Sequence, residues 1–151
     1  MKKAIMILIL IIVLLPLVGC ERKTMYWDFE YDYTDIKQIK IAYCESEIRH
    51  YTLKDIDISL AEDVYNDIKS LKMQHIVPTS ISGQAIIIIY NDGNYDVISK
   101  ESFKARYDRY EGKWGHSCFR ECKSNEDLYL LIEKYLGEGR LIEWKPIEMT
   151  H

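Results

Sequence analysis

The chain has no excess of positive charge, no phosphate-binding glycine loop, no nucleophile elbow and no internal repeat. Each absence removes a class of function. Twenty Lys and Arg stand against 24 Asp and Glu in 151 residues, a formal net charge of −4. Nucleic-acid binding needs a basic footprint, and electrostatic docking on anionic lipid needs clustered Lys and Arg; the overall balance argues against both. Thr79-Ser80-Ile81-Ser82-Gly83-Gln84 carries one glycine and no lysine, so it is not a P-loop. His50 with Ser59, Ser80, Ser82 or Ser117 could enter a triad, but none of these serines lies in a Gly-x-Ser-x-Gly elbow. No catalytic residue stands out and no cofactor is implied.

Cysteine is scarce: Cys20, Cys44, Cys118 and Cys122. The stretch His116-Ser117-Cys118-Phe119-Arg120-Glu121-Cys122 is nonetheless the densest set of reactive side chains. It admits three readings. His116, Cys118 and Cys122 could ligate a metal, although zinc knuckles bring a second ligand pair and only Cys44, His50 or His75 could complete one. Cys118 and Cys122 could form a disulfide if an irregular loop brings their Cα atoms to about 4.4–6.8 Å. Or these are unrelated small side chains. Acids also pair, in Asp28/Glu30/Asp32, Glu45/Glu47 and Asp55/Asp57. Without a turn glycine and a terminal bidentate glutamate they make no EF-hand loop. Solvated strand edges account for them, and charged edges oppose sheet-to-sheet aggregation.

What the chain does have begins at its first residue. Lys2 and Lys3 precede an apolar run, Ala4 to Val18, that ends in Leu17-Val18-Gly19-Cys20. The run falls short of the roughly 20 apolar residues of a comfortable membrane span, and charge, short apolar region and small residues at the cut are the pattern of an export signal. Leu17-Val18-Gly19-Cys20 resembles the lipobox of bacterial lipoproteins. That resemblance implies cleavage before Cys20, diacylglyceryl modification of its thiol, and a protein anchored in the cell membrane on its extracytoplasmic face. One acyl chain binds membranes marginally and two bind stably. Loss of residues 1–19, with Lys2 and Lys3, leaves 132 residues and moves the charge from −4 to −6. That is the length of one domain. Exported thiols are free to oxidise in pairs.

Residues 20–35 read as a lipidated tether through Thr24 and an aromatic lead-in from Met25 to Tyr33, before a single domain over 36–151. Ile39, Ile41 and Tyr43 alternate as a half-buried strand, with Ile48–Leu53 as hairpin partner across Glu45-Ser46-Glu47. Ser59 and Glu62 form a capping box for a helix whose apolar stripe is Leu60, Val64, Ile68 and Leu71. Ala85–Tyr90 holds four consecutive isoleucines and predicts a central strand buried on both faces. Asp92-Gly93 predicts a two-residue turn with φ > 0 at both positions, then a return strand from Tyr95 to Ser99. Phe103–Tyr110 alternates aromatic with charged residues, Glu111-Gly112 turns, and Trp114–Phe119 pairs back. A second helix opens at Ser124, buries Leu128, Leu131, Ile132 and Tyr135, and ends at Gly137. Leu141, Ile142 and Trp144 in the tail are expected to pack back. The order β-β-α-β-β-β-β-α predicts an α+β domain, an antiparallel sheet with both helices on one face.

In this order of elements the mature region resembles uncharacterised lipoproteins of low-GC Gram-positive bacteria. The resemblance is carried by the Ser59–Leu71 helix, the AIIIIYNDG hairpin, the Tyr110–Trp114 turn and the LYLLIEKYL helix, over most of residues 36–136. Abundant Ile, Lys and Tyr fit such a genome. The family brings no catalytic residue. Tyr107, Tyr110 and Trp114, with Trp27, Tyr31 and Tyr33, exceed what two helices on one sheet should hide. Tyr and Trp favour recognition surfaces, although strand propensity also selects Tyr. The expected function is a non-catalytic binding or accessory module for a protein, peptide or wall component, presented on the 107–119 hairpin or the open sheet face. The alternative is a thiol- or metal-dependent activity at Cys118 and Cys122.

Overall fold

A computed structural model of the chain describes residues 23–46, 49–77, 82–137 and 145–146. The export signal, Cys20, the Glu47-Ile48 turn and the tail residues Leu141, Ile142 and Trp144 lie outside the described residues. The fold is α+β, as the element order predicts. Strands β1 (Ile36–Ser46) and β2 (Arg49–Ile56) form the first hairpin, followed by helix α1 (Ala61–Ser70) and a short β3 (Met73–His75). Then β4 (Gly83–Tyr90), β5 (Tyr95–Ile98), β6 (Glu101–Asp108) and β7 (Lys113–Cys122) form a meander, with helix α2 (Asn125–Leu136) and a two-residue β8 (Lys145–Pro146) after it. The eight strands make one sheet in the order β3-β7-β6-β5-β4-β1-β2-β8, with every pair antiparallel. β3 and β8 are additions to the expected order; neither is long enough to show a period in the sequence.

Alternation along the strands feeds two apolar layers. Ile39 and Ile41 of β1, Ile86 and Ile88 of β4 and Ile98 of β5 meet Val64 and Ile68 of α1 and Leu128, Leu131, Ile132 and Tyr135 of α2. Both helices therefore cover the same face. Ala42 and Cys44, Ala85 and Ile87, Tyr95 and Val97, and Phe103 and Ala105 form the second layer, also buried. Ile87 is 1 % exposed while its neighbours Ile86 and Ile88 are fully buried, so β4 is covered on both faces.

Three local expectations are corrected. Ser59 is not the helix cap: Asp57 accepts from the Ser59 backbone N–H at 2.9 Å and caps a 3-10 turn over Ile58–Leu60. The helix follows from Ala61, with no side-chain cap on Leu60. The β4–β5 turn is a three-residue loop in which only Gly93 has positive φ (89°), because Gly93 N–H bonds to Tyr90 C=O and Tyr90 N–H to Asn94 C=O. One left-handed glycine closing such a loop is the usual alternative to a paired left-handed turn. Finally, the aromatic lead-in from Met25 is packed into the domain expected to begin at residue 36. It crosses the helix face as a strap, joined to β3 by a Met25–Met73 bridge, and buries Trp27 to 2 % exposure within the main core.

Candidate functional site

The expected binding residues assemble at the far end of the β6–β7 hairpin. Tyr107 and Trp114 are cross-strand partners, with ring centroids 5.4 Å apart and planes at 55°. Trp114 also meets Tyr95 at 5.1 Å. Aromatic pairs at such distances and angles are favourable beyond the area they bury. The turn between the strands is pinned by Asp108, whose Oδ1 accepts from the N–H groups of Tyr110 at 2.8 Å and Glu111 at 3.1 Å, and by Gly112 at φ 64°. The pinned turn leaves Tyr110 fully exposed. Asn94 steadies the same end of the hairpin by accepting from the Tyr107 N–H at 2.8 Å.

The other aromatics proposed for this surface are elsewhere. Trp27, Tyr31 and Tyr33 belong to the strap. Tyr31 stacks on Tyr90 at 4.1 Å, and its hydroxyl donates to Asp92 and accepts from Asn94, both at 2.7 Å. Tyr33 packs edge-on to Tyr65, against which Phe29 also stacks at 4.2 Å.

Beneath the strap lies a charged cluster that the sequence reading missed. Asp96 of β5 is fully buried. Its carboxylate accepts from Trp27 Nε1 at 2.9 Å, Tyr90 Oη at 3.0 Å and Arg106 Nη2 at 2.8 Å. Glu30 of the strap bridges Lys104 Nζ at 2.9 Å and Arg106 Nε at 3.0 Å. The Lys104 side chain is only 4 % exposed. Burial alone would raise the Glu30 carboxyl, but the hydrogen bonds from Lys104 and Arg106 outweigh it and hold it below its ordinary value. Burial likewise pulls Arg106 down, and Asp96 and Glu30 reverse this to hold it above. Burial, reinforced by Asp96, pushes the Tyr90 phenol up. Each buried charge thus has an opposite partner and further hydrogen bonds, which offset the cost of taking it out of water. The sequence signal was the alternation of Phe103, Ala105 and Tyr107 with Lys104 and Arg106. The alternation is right, but the charged side faces the strap and not solvent.

The cysteine set is not brought together as a site. Cys118 and Cys122 are free thiols on one strand, β7. Four residues of extended chain separate Cα atoms by about 13 Å, beyond the roughly 7 Å that a disulfide tolerates. A bulge lies between them: Ser102 pairs with Arg120 and Lys104 with Ser117, so Cys118 and Phe119 together oppose Phe103, and Cys118 adopts φ 58°. The bulge turns Cys122 into the helix-side core, while His116 packs edge-on against Phe103 on the other layer, 5.1 Å between centroids. Burial, with Asp127 and Glu121, pushes the Cys122 thiol up to about 12; burial does the same to Cys44. No group of three potential metal ligands occurs among the described residues.

The paired carboxylates have structural tasks. Asp32 and Asp35 reciprocally cap the 3-10 turn Tyr33–Asp35, Asp55 faces Lys40 at 3.7 Å, and Glu45 accepts from Tyr51 Oη at 3.1 Å. Ser59, Ser82 and Ser117 are exposed; Ser80 and the side chain of His50 lie outside the described residues. Among the described residues no helix is long and apolar enough to cross a membrane. Comparison with protein-family models, curated proteins and solved structures finds no match to this chain.

Proposed function

We propose that the chain is a bacterial lipoprotein: a domain anchored through Cys20 on the extracytoplasmic face of the cell membrane, working as a non-catalytic binding module. The observation that carries the binding part is the β6–β7 hairpin. Its turn is held by two Asp108 hydrogen bonds, and it holds Tyr110 fully in solvent beside the half-buried pair Tyr107 and Trp114. A backbone already pinned by such a turn loses little entropy when a partner covers the aromatic it presents. The partner is a protein, a peptide or a wall polymer at the cell surface. The anchor part is carried by the ordered succession of Lys2-Lys3, the apolar run and Leu17-Val18-Gly19-Cys20.

The test is crosslinking in intact cells with wild type, Cys20→Ala and Tyr110→Ala/Trp114→Ala, with each variant's fold checked by circular dichroism. Capture of one partner by wild type, lost in the folded hairpin variant, supports the reading; equal capture by both overturns the hairpin's role. Wild type found outside the membrane fraction overturns the anchor. The alternative, a thiol- or metal-dependent activity at Cys118 and Cys122, is disfavoured by the separation of these residues along β7, about 13 Å for four residues of extended chain. A cellular phenotype lost in Cys118→Ser/Cys122→Ser at undiminished stability would restore it.

A further inference from the structure

Resting on the anchor reading, we propose that the outer edge of β3 is a membrane-facing surface that touches anionic lipid head groups. The strap enters the fold at this edge: Met25 and Met73 exchange both backbone hydrogen bonds, at 2.9 and 2.8 Å. Cys20 precedes Lys23 by three residues and Met25 by five, so extended chain spans at most about 11 Å and about 18 Å respectively. A lipidated Cys20 therefore keeps this edge, of all the fold, next to the bilayer.

The edge has the chemistry such a position requires. Lys23, Lys72 and Lys123 are exposed. Lys123 N–H donates to Lys72 C=O at 2.8 Å, which sets the two lysines side by side, and Lys123 Nζ reaches Thr24 Oγ1. Arg120 donates to the Tyr26 carbonyl and lies 5.8 Å from the Trp27 ring. Among these cations stand exposed apolar groups, Val77 at 84 % and Tyr26 at 51 %. An open groove of about 510 Å³ is lined by Lys23, Met25, His75, Ile76 and Val77. Basic side chains around apolar and aromatic ones are the composition of interfacial membrane contacts. Acids stand nearby as well: the Gln74 amide donates to Glu121, and Glu126 and Asp127 occupy the first turn of α2, where the helix dipole opposes their charge. The net charge of −6 left after loss of residues 1–19 averages over this edge and hides it. Contact here would add electrostatic attraction to the lipid anchor and restrict how the domain tumbles on its short tether.

The test uses the full chain, processed in a bacterium and reconstituted into vesicles of phosphatidylcholine alone or with phosphatidylglycerol. Lysines are acylated with a water-soluble reagent and read by mass spectrometry, which also weighs the peptide that begins at Cys20. Lys23, Lys72 and Lys123 should label about threefold more slowly on the anionic vesicles, with the protection lost at high salt and Lys37 and Lys113 unaffected. In Lys72→Glu/Lys123→Glu the protection of Lys23 should disappear. A lipidated Cys20 with equal labelling on both vesicles overturns this inference alone. A Cys20 without lipid overturns the anchor reading and this inference with it.

Discussion

Trp27 Nε1 donates to Asp96 Oδ2 at 2.9 Å across 69 residues of sequence. The bond ties the strap to the middle of the sheet, and it does so where Asp96 is fully buried. Any pull on the chain ahead of Met25 reaches the fold through this strap.

Trp27→Phe keeps a ring in the core and deletes the donor. The buried carboxylate of Asp96 keeps Tyr90 and Arg106 and loses its third partner. A lost hydrogen bond to a buried charged group destabilises by about 1.5–3 kcal/mol, and the smaller ring adds a cavity. Urea unfolding should show a lower midpoint at unchanged slope; an unchanged midpoint would mean that the bond contributes nothing.

Glu30, Asp67 and Asp92 set the acid side of the stability profile. In each, burial would raise the carboxyl, and hydrogen bonds outweigh it: Lys104 and Arg106 on Glu30, Lys134 and Tyr135 on Asp67, Tyr31 and Asn94 on Asp92. All three are held below their ordinary values. Between the folded and unfolded values the unfolded chain binds more protons, so stability rises with pH in that window. The contribution is complete above the ordinary carboxyl range of about 4 and is lost as pH falls through the lowered values. Unfolding midpoints should be flat near neutrality and drop in acid, with a shallower drop in Glu30→Gln. Parallel profiles for the two proteins would remove Glu30 from the account.

The thiols should separate by burial. At pH 8, maleimide should modify half-buried Cys118 in the folded protein, while Cys122, whose thiol is pushed up to about 12, should react only on unfolding. Oxidant should produce no intramolecular Cys118–Cys122 bond, because β7 holds the two too far apart. A mass loss of two hydrogens in the peptide carrying both would show that the strand gives way.

The alternation at Ile39–Tyr43 and Phe103–Tyr107, the isoleucine run of β4 and the Leu128–Tyr135 stripe were legible because regular burial leaves a period. The strap was not. Its contacts with Asp96, Lys104 and Arg106 lie more than sixty residues away, and such pairing leaves no mark in a local window. The same limit hid the task of Lys104 and Arg106. Charge alternating with aromatic residues normally marks the wet side of a strand, and only knowledge of the strap says otherwise. Cys118 and Cys122 left a disulfide open for the opposite reason: their closeness in sequence allowed a loop, and a strand with one bulge keeps them apart. Tyr110 and Trp114 were legible because a Glu-Gly turn between two strands places its flanking aromatics at a hairpin end.

Gly137 is a position where one added methyl group should destabilise the fold through the backbone alone. It closes α2 with φ 68° and ψ −169°, its N–H donating to Glu133 C=O, a conformation essentially restricted to glycine. Space is not the obstacle, since a Cβ there would meet only Lys54 Nζ, at an ordinary 3.6 Å. The penalty is backbone strain, of about 1–3 kcal/mol. It would fall on the end of the helix where Lys54 Nζ donates to the carbonyls of Tyr135 at 2.7 Å and Leu136 at 3.0 Å, linking α2 to β2. Gly137→Ala should therefore lower the unfolding midpoint and speed amide exchange in the last turn of α2, with the first turn at Ser124 protected by its own cap. Lys54→Met, which removes the donor and keeps the chain length, should reproduce the local fraying without the strain. If Gly137→Ala leaves both stability and exchange unchanged, the terminus relaxes to another cap, and the positive φ is a convenience of the sequence and not a requirement of the fold.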